Sequence, residues 1–166
     1  MNKSKTRMLS YTAGIIDGEG HIGIAKSSHP NCKTRNRKPE YHLRVAVKMC
    51  DGKIIDYLYG NFGGHIGIKR TDNPKHSKQY YWVISCKKAA AFCKTLIPYL
   101  VGKKNQAELA VKFQSGKKQG KTKPVEIQER DYLEMKKMHK TYHASAAAET
   151  KYNDSERRSD SPRLQE

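Results

Sequence analysis

Two carboxylates, Asp17 and Glu19, alternate with Gly18 and Gly20 at the end of the stretch YTAGIIDGEG (11–20). The residues before them are small and apolar and read as the last turns of a helix. Acids are disfavoured at a helix C-terminus, where the dipole is negative and the last carbonyls lack partners. A bound cation offsets that cost. A hard divalent ion takes carboxylate, carbonyl and water oxygens, and the glycines let the backbone come close to it. Two other readings stand beside this one. A phosphate-cradling loop would need GxxxxGK followed by Ser or Thr, which is absent. Asp17 could also hydrogen-bond to nearby backbone in a turn.

The elements that position these acids follow from periodicity. Residues 6–17 repeat at helical spacing, with Leu9, Ala13 and Ile16 on one side. From His21 the period becomes two: Ile22 and Ile24 face one way, and His21, Gly23, Ala25 and Ser27 the other. HPNCKTRNRKP (29–39) is a basic loop, and EYHLRVAVKMC (40–50) a strand with Leu43, Val45 and Val47 inward and His42, Arg44, Ala46 and Lys48 outward. Helical spacing returns over 53–62 and stops at Gly63-Gly64. HIGIKR and QYYWVIS read as a hairpin around TDNPKHSK. Helices follow over 87–100 and 104–114, then a basic linker (115–124), a helix over 125–143 and a polar tail, 144–166, expected to be disordered. The pattern predicts an α+β domain over residues 1–114 whose four strands form one antiparallel sheet with helices on one face. The open face would carry His21, Arg44, Lys48, His65, Lys69 and, with them, Tyr80 and Trp82.

Charge narrows the partner. The formal net charge is +17 over 166 residues. Residues 1–123 hold 25 Lys and Arg against seven Asp and Glu, whereas 124–166 hold eight against nine. A one-signed field of that size favours a polyanion, with nucleic acid foremost. A membrane surface fits less well, since no long amphipathic basic helix is evident. No stretch is long and apolar enough to span a bilayer, and the N-terminus lacks the apolar core of a secretory leader. Cys32, Cys50, Cys86 and Cys93 form no CxxC pair, so they are expected to be reduced thiols in an intracellular protein. His139 and His143 lie four apart and could ligate a metal, but no third ligand accompanies them, which favours a surface or packing role.

YTAGIIDGEG resembles the signature of the LAGLIDADG homing endonucleases. Thr12 to Gly20 span the nine motif positions; eight match or are conservative, with Thr12 in place of the usual Leu. The αββαββα order supports the resemblance through about residue 114. LIPYLVGKKNQAEL (96–109) is similar to the segment carrying that family's active-site lysine, which falls on Lys103, with Lys104 the neighbour one position on. Where the family often has a polar residue at the end of the second strand, this chain has Met49, with Lys48 and Lys53 as basic groups nearby.

The resemblance implies a divalent-metal-dependent, site-specific endonuclease on double-stranded DNA. Mg2+ is the expected cofactor, Mn2+ a substitute, and Ca2+ an ion that supports binding without cleavage. Glu19, Lys103 and Asp17 would be the catalytic residues, with the metal on Glu19 and a main-chain carbonyl near Gly18. One motif per chain implies a homodimer, its motif helices in contact through Thr12, Ala13 and Ile16, with Gly14 and Gly18 permitting close approach. DNA would be read by His21, Ala25, Ser27, His42, Arg44 and Lys48 on the first two strands. Lys53, His65, Lys69, Arg70, Tyr80 and Trp82 would add to this set. Lys33, Arg35, Arg37 and Lys38 of the basic loop and the lysines of 117–123 would hold phosphates. A ten-residue strand spans roughly 33 Å, about one turn of DNA, so two protomers would cover a pseudo-palindrome on the order of 20 bp. An RNA-binding maturase and a non-catalytic DNA-binding regulator are the alternatives on the same scaffold.

Overall fold

The computed structural model describes residues 3–27, 39–69, 77–117 and 123–141. Lys33, Arg35, Arg37, Lys38, Arg70, His143 and the tail from 144 lie outside the described residues. The elements run α1 (Lys3–Glu19), β1 (Gly20–Ser27), β2 (Glu40–Met49), α2 (Gly52–Phe62), β3 (His65–Lys69), β4 (Gln79–Ser85), α3 (Cys86–Leu96) and α4 (Lys104–Ser115). A last helix, α5, covers 125–141. The fold is α+β, with the expected αββαββα order through α3.

The four strands form one antiparallel sheet in the order β1-β2-β4-β3. Its register places Ile22 beside Val45, and Val47 beside Trp82. These residues, with Leu43 and Ile84, are buried beneath the helices. Leu9, Ala13 and Ile16 of α1 meet them, as do Phe92 and Leu96 of α3 and Ala107, Ala110 and Phe113 of α4. Trp82 is fully buried, its ring tilted against Phe92, with its indole N–H donating to the carbonyl of Gly63 (2.7 Å). A buried indole needs such a partner.

Local chemistry sets the boundaries. Asp51 accepts from the Lys53 amide and caps α2, and Gly63 and Gly64 take positive φ to leave it. α3 ends at Leu96 rather than continuing to residue 100, because Pro98 has no amide to extend the ladder. α1 passes straight into β1 with no intervening residue. A Cβ on Gly20 would stand 2.7 Å from the Cα and carbonyl oxygen of Ile16, so only glycine fits that corner.

α5 is docked, not loose. Met135 is buried, and Glu129 takes Lys26 of β1 (2.8 Å) and the Tyr41 hydroxyl. Its acids Glu126 and Glu129 lie toward the N-terminus and Lys136, Lys137 and Lys140 toward the C-terminus, the arrangement its dipole favours. Of the lysines of 117–123 expected on phosphates, Lys118 and Lys121 lie outside the described residues; Lys117 donates to the Tyr41 carbonyl and Lys123 to that of Lys112 and to Asp131. Cys50, Cys86 and Cys93 are free thiols. Among the described residues no helix is long and apolar enough to cross a membrane.

Candidate active site

The end of α1 is held from below by the segment before α4. Both oxygens of Asp17 accept backbone amides there, Oδ2 from Val101 and Oδ1 from Lys103, each at 2.8 Å. The Lys103 ammonium reaches back to the carbonyls of Ile16 (2.9 Å) and Asp17 (2.8 Å). A lysine on the last carbonyls of a helix neutralises the negative end of its dipole. Burial is the first influence on Lys103 and lowers its pKa, while Asp17 and Glu19 pull it up. Lys104 is exposed at the start of α4, so Lys103 is the lysine that joins this corner.

This geometry separates the two acids. Asp17, expected among the catalytic groups, is turned onto the 101–103 backbone, a distant segment and not the local turn of the alternative reading. Glu19 is exposed at the tip of α1. It shares a hollow with His21, Gly23, Ala25, Arg44 and Lys48 on the open face of the sheet. His21 is held below the ordinary imidazole range, first by burial and then by the positive neighbours His139, Lys103, Arg44 and Lys48.

A second hollow continues along the sheet, lined by Arg44, Lys48, His65, Lys69, Tyr81 and Val83. The open face therefore carries Arg44, Lys48, Lys69, His21, His42 and His65, as the alternation predicted. Ser27 closes the β1 end, its hydroxyl on the Glu40 carbonyl (3.3 Å), and His42 stands 3.5 Å from Glu40. Lys53 is exposed in the first turn of α2. Met49 faces the helices, packed against the core.

Two expectations are corrected here. Tyr80 and Trp82 lie on the helix face: Trp82 is fully buried and Tyr80 packs against the core. Their neighbours Tyr81 and Val83 occupy the open face instead, and Tyr81 was missed. QYYWVIS is apolar or aromatic at nearly every position, so no alternation marks its inner face; only the pairing of Val47 with Trp82 settles it. The second correction concerns α1. Thr12, Ala13 and Ile16 are buried within this one chain. The Thr12 hydroxyl returns to the Met8 carbonyl (2.8 Å), which satisfies the polar atom that replaces the usual leucine. The outward stripe of α1 is Arg7, Tyr11, Gly14 and Gly18.

A hard divalent ion needs about six oxygens, and the described residues contain no group of three or more His, Cys, Asp or Glu side chains that could hold one. Within one chain the corner offers the carboxylate of Glu19 as the exposed anionic donor, since Asp17 is committed to amides. These residues fit a metal whose remaining oxygens come from outside this chain.

No protein-family model and no curated protein matches the sequence. Solved structures do match the fold. The homing endonuclease I-CvuI, in complex with its target in the presence of calcium, aligns with 17% identity and a TM-score of 0.56 over 83% of this chain and 98% of its own. The same enzyme on the I-CreI target with magnesium, its DNA not cleaved, gives 12% identity and 0.56 over 81% and 98%. An archaeal intron-encoded homing endonuclease complexed with DNA gives 14% and 0.53 over 68% and 69%.

Proposed function

We infer that this chain, which has the LAGLIDADG homing endonuclease fold, is a site-specific double-strand DNA endonuclease. In this reading it works as a homodimer on a pseudo-palindromic target and uses a divalent metal, Mg2+ with Mn2+ as substitute. One observation carries the reading: the exposed Glu19 carboxylate opens into the same hollow as His21, Arg44 and Lys48, on the basic face of the sheet. A carboxylate among cations that face a polyanion repels the ligand unless a metal intervenes, so a purely DNA-binding role leaves Glu19 unexplained.

The metal, when bound, would activate water and stabilise the charge that develops on the phosphate and the leaving oxygen. Glu19 would hold it, with a main-chain carbonyl near Gly18. Lys103 keeps the α1 carbonyls neutralised, so that Glu19 can face a phosphate without the added field of the helix end. Asp17 fixes Lys103 by its backbone. Arg44, Lys48 and Lys69 supply donors suited to guanine edges in the major groove. The sheet would lie along the groove and the outward stripe of α1 against a second copy. Gly14 and Gly18 support that pairing, because a Cβ on either would meet nothing within 4 Å in this chain.

The test is selection of bound duplexes from a randomised pool in calcium, followed by magnesium. A palindromic consensus on the order of 20 bp that is then cut is the expected result. A consensus bound but never cut, in magnesium or manganese, would leave a regulator. No consensus, with preference for structured RNA at matched salt, would overturn the reading in favour of a maturase.

A further inference from the structure

Resting on the nuclease reading, we propose that α5 belongs to the DNA-reading apparatus: His139 is a positioning residue for His21, which contacts the DNA beside the phosphate to be cut. β1 is an edge strand, and an edge presents unpaired backbone groups. His139 donates from Nε2 to the carbonyl of Ile22 on that edge (2.8 Å). The bond fixes the ring of His139, whose face then reaches round the edge to the His21 ring, with centroids 4.7 Å apart.

The His21 ring has a second support. It lies over Gly23, where a Cβ would collide with its Nε2 and come within 3.1 Å of Cε1. The glycine is a seat for the ring and His139 is the wall beside it. Between them they hold the imidazole down on the open face, in the hollow that Glu19 also lines. A histidine left to solvent at that position would sample several rotamers. This one is pre-set by a helix that follows it by more than a hundred residues, and the same helix anchors β1 a second time through Lys26 and Glu129.

The experiment is a double-mutant cycle on the selected DNA site with His21→Ala, His139→Ala and both, measuring affinity in calcium and the single-turnover cleavage rate at saturating DNA in magnesium. Each single change is expected to slow cleavage about fivefold, and the double change to cost no more than the larger single one, as for coupled neighbours. Gly23→Ala, which leaves α5 untouched, should slow cleavage in the same direction. His139→Gln keeps a donor for the Ile22 carbonyl, so it should restore the melting temperature but not the rate. The proposal is overturned if His139→Ala costs as much without His21 as with it, or if His139→Gln restores both quantities. Failure of the nuclease reading looks different: the wild-type chain then neither selects nor cuts DNA, while histidine NMR of the free protein still reports whether His139→Ala shifts the His21 resonances.

Discussion

At the scale of single residues, the two acids of the motif divide their labour by what they touch. Asp17 spends both oxygens on the amides of Val101 and Lys103. Hydrogen bonds to a charged acceptor contribute more than neutral ones, so Asp17→Ala is expected to lower stability by about 2 kcal/mol, read by chemical denaturation. Glu19 has the opposite profile. Outer partners of a metal site are typically worth 10–100-fold in activity, so Glu19→Gln should cut cleavage by more than about a hundredfold while the DNA dissociation constant in calcium stays within a few-fold. Retained cleavage by that variant would refute the assignment of Glu19. The presence of both acids at a helix end was legible in the sequence, because their placement opposes the helix dipole. Their division was not. The partners of Asp17 lie more than eighty residues away, and no periodicity announces a lysine that turns back onto helix carbonyls.

At the scale of elements, strands with clean alternation declared their faces in advance. β2 did so through Leu43, Val45 and Val47, and β1 through Ile22 and Ile24. β4 did not, since Tyr80, Tyr81, Trp82 and Val83 offer no contrast between neighbours, and cross-strand register alone buries Trp82. The motif helix posed a similar difficulty. It carries small or apolar groups on several sides, and the sheet takes Leu9, Ala13 and Ile16, which leaves Gly14 and Gly18 outward. That orientation makes a prediction whose sign is informative. On a solvent-exposed helix Gly→Ala stabilises by up to about 1 kcal/mol. Gly14→Ala should instead weaken self-association, and Gly14→Leu should yield monomers in analytical ultracentrifugation. A stabilised, unchanged assembly would place the interface elsewhere. α5 is likewise more than an appendage. Met135→Ala should cost about 2–5 kcal/mol, the usual range for emptying a buried methionine site, whereas truncation after His143 should leave the melting temperature unchanged.

At the scale of the whole molecule, charge is sorted by surface. The helix face of the sheet is filled with apolar side chains, and the open face gathers arginine, lysine and histidine with Glu40 and Glu19 as acids beside them. Binding to duplex DNA should therefore weaken steeply with salt. If a dimer neutralises about eight phosphates, the logarithm of the affinity should fall with the logarithm of salt at a slope near −7. A flat dependence would argue that the basic face is not the docking surface. The distribution of charge was readable from composition, which put the excess before residue 124. Its gathering on one face required the pairing order β1-β2-β4-β3, which brings Arg44 and Lys48 between His21 on one side and His65 and Lys69 on the other.

The direct passage from Glu19 to Gly20, with no loop between helix and strand, has one more consequence. The carboxylate that would mark the incision and the strand that would read the address are parts of one rigid piece. Side chains on β1 and β2 could then be exchanged to select new sequences, yet the distance from the address to the cut would not change with them. In a symmetric pair that distance is set twice, once on each strand of the DNA. On the nuclease reading the stagger of the broken ends would thus be set by the corner at Gly20, and variants retargeted through the sheet should leave the same overhang as the parent.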